Sequence, residues 1–253
     1  MIIFSFDCAI KNLGFCCIEV NTNWSKQTEL IIQEFTQLYS NDDQDSINVL
    51  DKIHILVKKT DTLVNSIFQI KYMNIFDLAA EGKAKETKLT EIVKRLKYIL
   101  FCLGNQLPKP DIVLIEYQMN ANDKSRGICR YIEEYYLPIG GTDATITYAM
   151  PEYPLYASDI SAELISETKI YIVPPSLKNS YQIDPSIKGA YQTFIEKCNR
   201  SYDANKAHAI YNFVYFLQTR NLSHTIKNIP NKLDDIADAF MQAYSWCKAE
   251  NFF

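Results

Sequence analysis

MIIFSFDCAIKNLGFCCIEV, residues 1–20, decides how the fold is read. Residues 1–8 form a short apolar run that carries an acid, Asp7, at its end, which is the pattern of a buried strand. Residues 13–20 (LGFCCIEV) make a second strand. Asn12, Leu13 and Gly14 turn the chain between the two, and the polar stretch 21–24 turns it again. A third strand is read at 29–36, so the chain is expected to open with three antiparallel strands in succession. An acid at the end of an otherwise apolar strand is costly to bury unless something pairs with it. Asp7 is therefore the first residue whose chemistry needs an explanation.

Beyond residue 40 the pattern changes. Ile53, Leu56 and Val57 recur at helical spacing, as do Leu63, Ile67 and Ile70, and 78–86 (LAAEGKAKE) reads as a polar loop. Leu89, Ile92, Val93, Leu96, Ile99, Leu100 and Leu103 place an amphipathic helix at 87–104. Residues 111–116 (DIVLIE) form another buried strand that ends in an acid, Glu116. A helix is expected at 122–137, opened by Asn122 or Asp123 as its cap. Residues 138–157 hold Pro138, Gly140, Gly141, Pro151 and Pro154 and read as irregular. KIYIV (169–173) is a strand closed by Pro174 and Pro175. Helices follow at 205–218 and 232–249, the second announced by Pro230 and Asn231. Strands that alternate with helices after residue 105 favour parallel pairing there. The whole is an α/β layout: one domain over 1–253, with insertions expected at about 38–85 and 138–168.

Composition removes several classes. A chain of 253 residues can bury a sizeable core. No apolar run approaches the ~20 residues of a membrane helix. The first strand begins at Met1, leaving no room for a presequence, so an intracellular protein is expected. Seven Cys without any CxxC spacing, beside three His, read as reduced, buried thiols rather than a zinc site. The net charge of −4 is unlike the basic balance of most nucleic-acid-binding domains. Any such binding has to come from local charge.

Acids recur at informative places. Asp7 and Glu116 each end a strand, and KLDDIADAF (232–240) puts Asp234, Asp235 and Asp238 at the start of the last helix. Residues three or four apart share a helix face, so Asp235 and Asp238 can aim at one point. Ile236, Phe240 and Cys247 fall on another, apolar stripe. Asp234 or Asp235 could instead serve as an N-terminal-turn acid that complements the helix dipole, a reading that suits Asp234 well and Asp238, deeper in the helix, less. Carboxylates brought together repel and must protonate or hold cations. Hard divalent ions such as Mg²⁺ prefer their oxygens, and a pair of such ions suits phosphodiester hydrolysis.

Four segments resemble the RuvC-like Holliday junction resolvases of the RNase H-like superfamily, especially the poxvirus and fungal mitochondrial branch. IIFSFDCAIKNLGF is similar to the family's first strand, which implies that Asp7 is a metal-binding acid; Ala9 stands where many relatives have Gly. VLIEYQ resembles the Ile-Glu-x-Gln segment, with Glu116 as the second acid and Gln118 its companion. VPPSLKNSY matches the segment after the fifth strand, whose Lys corresponds to Lys178. KLDDIADAF resembles the closing Asp-Asp-x-x-Asp-Ala motif, which makes Asp235 and Asp238 the remaining acids. The resemblance implies an RNase H-like fold with a mixed five-stranded sheet flanked by helices. It also implies Mg²⁺ (with Mn²⁺ able to substitute), a homodimer and a four-way DNA junction as substrate, with no small-molecule substrate. Asp7, Glu116, Asp235, Asp238 and Lys178 would be the catalytic set, the four acids holding metal. Without a presequence, a large DNA virus is a better source than a mitochondrion.

Candidate DNA contacts are Gln118, Lys124, Arg126, Arg130 and Lys206, with a second basic run at Lys83, Lys85 and Lys88. Arg126 and Arg130, four apart, share a helix face, and such residues can neutralise phosphates. The apolar positions Ala209, Ile210, Phe213, Val214 and Leu217 suit either a dimer helix or the core. Other readings stay open: an RNase H-like nuclease of flaps or RNA–DNA hybrids, and a non-catalytic DNA-binding scaffold. A sugar-kinase or actin-like ATP-binding protein fits less well, because only seven Gly occur and the terminal DDIAD would have no role.

Overall fold

Alternation along the first strand sets two layers. Of β1 (Ile2–Asp7), Ile3 joins one apolar cluster while Phe4, Phe6 and the following Cys8 join another on the opposite face of the sheet. β4 (Ile112–Glu116) repeats the rule, with Ile112 and Leu114 on the first face and Val113 and Ile115 on the second. The computed structural model describes residues 1–40, 55–56, 59, 66–79, 83–118, 123–137, 146–148, 168–183, 201–220, 222 and 233–252.

The remaining elements are β2 (Leu13–Val20), α1 (Trp24–Ser40), β3 (Phe68–Phe76), α2 (Leu89–Gln106), α3 (Asp123–Tyr136), β5 (Ile146–Tyr148), β6 (Lys169–Val173), α4 (Ser201–Thr219) and α5 (Leu233–Ala249). The sheet runs β3-β2-β1-β4-β6-β5. β1, β2 and β3 pair antiparallel, and β4, β6 and β5 continue in parallel. The sheet is mixed and flanked by helices, as expected, with one short strand more than the five expected. That extra strand, β5, lies within the range taken as the second insertion.

The third strand is a correction. Residues 29–36 belong to the helix α1, and Leu30 and Ile32 on it are more than half exposed. The strand that pairs with β2 is β3, inside the range 38–85 taken as an insertion; Ile70 lies on it, while Ile67 is in the helical turn just before it, so the two do not share one helix. A register shift explains why period-two reading missed it. Cys17 pairs with Tyr72 but Ile18 pairs with Ile70, so Lys71 is an extra residue. The bulge flips the facing: Phe68 and Ile70 face the first layer, as do Met73 and Ile75 beyond it. The other residues of 40–65 that suggested helix fall largely outside the described residues.

α4 and α5 cover the first face, and α2 and α3 the second. On α4, Ala209, Phe213 and Leu217 are buried in the core, while Ile210 and Val214 of the same stripe stay partly exposed. α5 is buried continuously from Ile236 to Cys247. Its Phe240 ring packs on Phe68, Phe213 and Phe216. Each large apolar side chain so buried contributes about 1.5–3 kcal/mol. That total outweighs the cost of carrying a charged residue, Asp238, on the same helix.

Candidate functional site

Strand parity brings the acids together. β1 and β4 are parallel neighbours in register from Ile3↔Ile112 to Phe6↔Ile115. One step further along puts Asp7 beside Glu116, and both fall on the face covered by α5. Both are buried, as is Asp238 in the second turn of α5. The corner lies at the C-terminal ends of parallel strands, where open α/β sheets place their ligands.

Lys178 enters the same corner. Pro174 and Pro175 end β6, and a short 3-10 turn at Leu177–Asn179 follows, closed by Leu177 N–H donating to the Pro174 carbonyl at 3.0 Å. Its ammonium lies 2.7 Å from Asp238 Oδ2, 3.2 Å from Glu116 Oε1 and 4.0 Å from Asp7 Oδ1. One cation thus touches carboxylates from three separate elements. Gln118 Nε2 donates to the other Glu116 oxygen, Oε2, at 3.3 Å.

The charges are in tension. Burial pushes the Asp7 carboxyl well above its ordinary value, hydrogen bonding and repulsion from Glu116 push the same way, and Lys178 and Lys206 pull it back. Burial likewise moves Asp238 up to about 6, opposed chiefly by Lys178. Burial alone would lower the Lys178 ammonium, but Asp7, Glu116 and Asp238 together hold it above its ordinary value. Three carboxylates against one ammonium leave a deficit of positive charge. A divalent cation would fill that deficit.

Asp235 enters the corner through its main chain. A Cβ built on Gly14 of β2 would overlap the Asp235 carbonyl oxygen and lie 2.9 Å from its carbon and 3.3 Å from Asp7 Cβ. The bare glycine therefore seats the first turn of α5 on the sheet beside Asp7. The sequence marked Gly14 only as a turn residue. Lys206, on α4, pairs with Asp234, and its charge reaches Asp7 and Asp238. The Asp234 carboxylate thus has an ion-pair partner as well as the helix dipole.

Several buried polar residues escaped the sequence reading. His208 Nε2 lies 3.2 Å from the Tyr181 carbonyl, and Asn212 Oδ1 accepts from Ile183 N–H at 2.8 Å. Asn212 Nδ2 also donates to the His208 carbonyl at 2.8 Å. Together they tie α4 to the segment just after Lys178. Gln242 Nε2 donates to Ser5 Oγ at 3.1 Å and to the Phe6 carbonyl at 3.4 Å. Interior polar residues in an apolar helix carry no periodicity signal, so only their burial reveals them.

The two basic runs meet. Lys124 Nζ, at the start of α3, donates to the carbonyls of Lys85 at 2.7 Å and Ala84 at 3.3 Å. Lys83, Lys85 and Lys88 thus share one surface with the N-terminal end of α3. Arg126 pairs with Asp123, and Lys83 with Glu86 at 3.3 Å; these exposed pairs are weak and separable. α3 in turn touches the acidic corner, since Cys129 Sγ donates to the Glu116 carbonyl at 3.5 Å.

Among the described residues, no group of three His, Cys, Asp or Glu side chains is arranged as a ready metal site. The Lys178 ammonium lies among the carboxylates instead. The donor chemistry nevertheless fits a hard divalent ion: several oxygens, buried, with too little positive charge. No helix among the described residues is long and apolar enough to cross a membrane.

No protein-family model and no curated protein matches the chain. Among solved structures it is similar to the fowlpox virus Holliday junction resolvase, at 15% identity and a TM-score of 0.47, with 99% of each chain covered. It is similar to the fowlpox virus resolvase in complex with its substrate Holliday junction DNA, at 15% identity and a TM-score of 0.48, again over 99% of each chain. It is also similar to RuvC from Thermus thermophilus, at 10% identity and a TM-score of 0.44, over 99% of this chain and 97% of that one.

Proposed function

We propose that this chain is a divalent-metal-dependent endonuclease that resolves four-way DNA junctions. The observation that carries the reading is the convergence of Asp7, Glu116 and Asp238, from β1, β4 and α5, on the single ammonium of Lys178. Three separate elements meet to bury charge at the C-terminal ends of the two central strands. A purely structural role would not need that cost. The motif resemblance of the same four segments supplies the substrate class.

In this reading Asp7, Glu116, Asp238 and Asp235 hold Mg²⁺ or Mn²⁺. The bound metal supplies Lewis acidity at the scissile phosphodiester and at the attacking water. Gln118 steadies Glu116 by donating to its outer oxygen. Lys178 compensates the carboxylates while no substrate is present, and faces the charge that builds on the phosphate as the bond breaks. Lys206 adds positive potential from behind. The strip formed by Lys83, Lys85, Lys88, Lys124, Arg126 and Arg130 guides a DNA arm toward the acids by neutralising phosphates. A two-fold dimer would place two such sites for symmetric nicks on opposite strands, leaving 5′-phosphate and 3′-hydroxyl ends.

The test is cleavage of a labelled, immobile four-way junction with Mg²⁺, beside linear duplex, flap and RNA–DNA hybrid controls. Paired nicks on the junction alone support the proposal. Preference for a flap or hybrid would keep the nuclease and remove the resolvase assignment. Junction binding without cleavage of any substrate would favour a scaffold.

A further inference from the structure

We infer that Gln242 is a positioning residue, whose buried side-chain amide fixes the spacing between Asp7 and Asp238. This rests on the proposed metal-dependent nuclease. Asp7 and Asp238 are about 230 residues apart in sequence; apart from the Lys178 ammonium that both face, the elements that carry them pack on each other largely through apolar side chains, and such packing is non-directional. Apolar packing alone lets a helix slide or roll on a sheet by a few tenths of an ångström at little cost. Gln242 makes the junction directional. It stands four residues after Asp238, one turn along the same face of α5. Its Nε2 carries two N–H groups, and both are used on β1: one on Ser5 Oγ at 3.1 Å, one on the Phe6 carbonyl at 3.4 Å. These partners lie two and one residues before Asp7. Gln242 and Ser5 are essentially inaccessible to water.

A misplaced amide there would leave buried donors unsatisfied, so the register of α5 on β1 is held to a narrow range. Gly14, paired with Asp7 across β1 and β2, closes the same joint, since the α5 main chain rests against it. The pair fixes α5 at two points next to Asp7, one just before it on β1 and one beside it on β2. Carboxylates that share a metal must keep their separation, and loss of a buried group that orients a ligand typically costs about 10–100-fold in metal affinity or activity.

The test uses Gln242→Met, which keeps the length and most of the volume and removes both donors, with Gln242→Glu as a second variant that keeps the shape and an oxygen. Three quantities are read on the full chain: the melting temperature, Mn²⁺ affinity by calorimetry without DNA, and kcat and KM on a four-way junction. The expected result for Gln242→Met is a folded protein whose Mn²⁺ affinity and kcat each fall about tenfold or more while KM for the junction holds. Wild-type Mn²⁺ affinity and kcat in a folded Gln242→Met would overturn the inference. So would a uniform loss of melting temperature and activity in both variants with Mn²⁺ affinity unchanged, which marks ordinary core packing. If the wild-type protein itself neither binds Mn²⁺ nor cuts any branched DNA, it is the nuclease reading that fails.

Discussion

Gly14→Ala adds one methyl group where the packing of α5 on β2 leaves no room for it. The new Cβ would overlap the carbonyl oxygen of Asp235 and stand 2.9 Å from the carbonyl carbon. Carbon atoms in contact prefer about 3.5–4.0 Å, and the overlap with the oxygen is tighter than the carbon contact, so the first turn of α5 and strand β2 must separate by about 1 Å. Neither side yields easily, because both contacts on Asp235 are main-chain atoms and β2 is held by ladders on both edges. Overpacking of this kind costs about 1–3 kcal/mol. At about 2–4 °C per kcal/mol for a chain of this size, the melting temperature should fall by roughly 2–12 °C. The displaced turn carries Asp235 and leads into Asp238, and a 1 Å error in a catalytic group can cost about a hundredfold in rate. Thermal unfolding and junction cleavage, measured on the same preparation, read both numbers. Gly104→Ala is the internal control. Its Cβ meets only Tyr135 Oη, at an ordinary 3.7 Å, and alanine favours helix by up to about 1 kcal/mol. A Gly14→Ala protein with unchanged melting and unchanged cleavage would refute the close seating of α5 beside Asp7.

Other outcomes follow from the charges. Burial holds the Asp238 carboxyl at about 6 against an ordinary 3.8, so ionising it in the fold costs about 3 kcal/mol more than in the unfolded chain. That penalty is full above the folded value and fades as pH falls toward the ordinary one. The metal-free protein should therefore gain stability between about pH 7 and pH 5, and the rise in melting temperature on adding Mg²⁺ or Mn²⁺ should be larger at the higher pH. Differential scanning fluorimetry across that window measures both. Asp238→Asn should cut junction cleavage by about a thousandfold or more, the several kcal/mol expected of metal-assisted charge stabilisation, while melting stays close to wild type because a neutral amide is cheaper to bury. Lys124→Ala should weaken DNA binding about equally across sequences and reduce the salt slope by about one; a fluorescence-anisotropy titration at several salt concentrations shows this.

Reading from sequence succeeded where a single physical rule dominated. β1, β4 and β6 are short apolar runs with clear stops, at Pro174 in the last case, and all three form as strands. α2 shows its apolar face at helical spacing and buries it as Ile92, Leu96, Leu100 and Leu103. The third strand failed because two signals misled together. Leu30, Ile31 and Ile32 look like a strand core but sit on α1, with Leu30 and Ile32 exposed, while the bulge at Lys71 breaks the alternation of the true strand. Asp7 and Glu116 were recognisable because each ends an apolar strand where charge is out of place, and Asp235 and Asp238 because their spacing puts them on one face at the start of a helix. The joints that hold them were not. Gly14 acts through the atom it lacks, and Gln242, His208 and Asn212 act through long-range hydrogen bonds that leave no local pattern. The meeting of the 83–88 turn with α3 depends on Lys124 reaching across about 40 residues.

The most direct test of the central claim is cleavage of an immobile four-way junction with Mg²⁺ by the wild-type chain beside Asp7→Asn and Asp238→Asn. The account predicts symmetric paired nicks on the junction, absent from linear duplex and lost in both variants, with junction binding retained. Undiminished cutting by either variant would contradict a metal-holding role for that acid, and failure of the wild-type protein to cut any branched DNA would contradict the account as a whole.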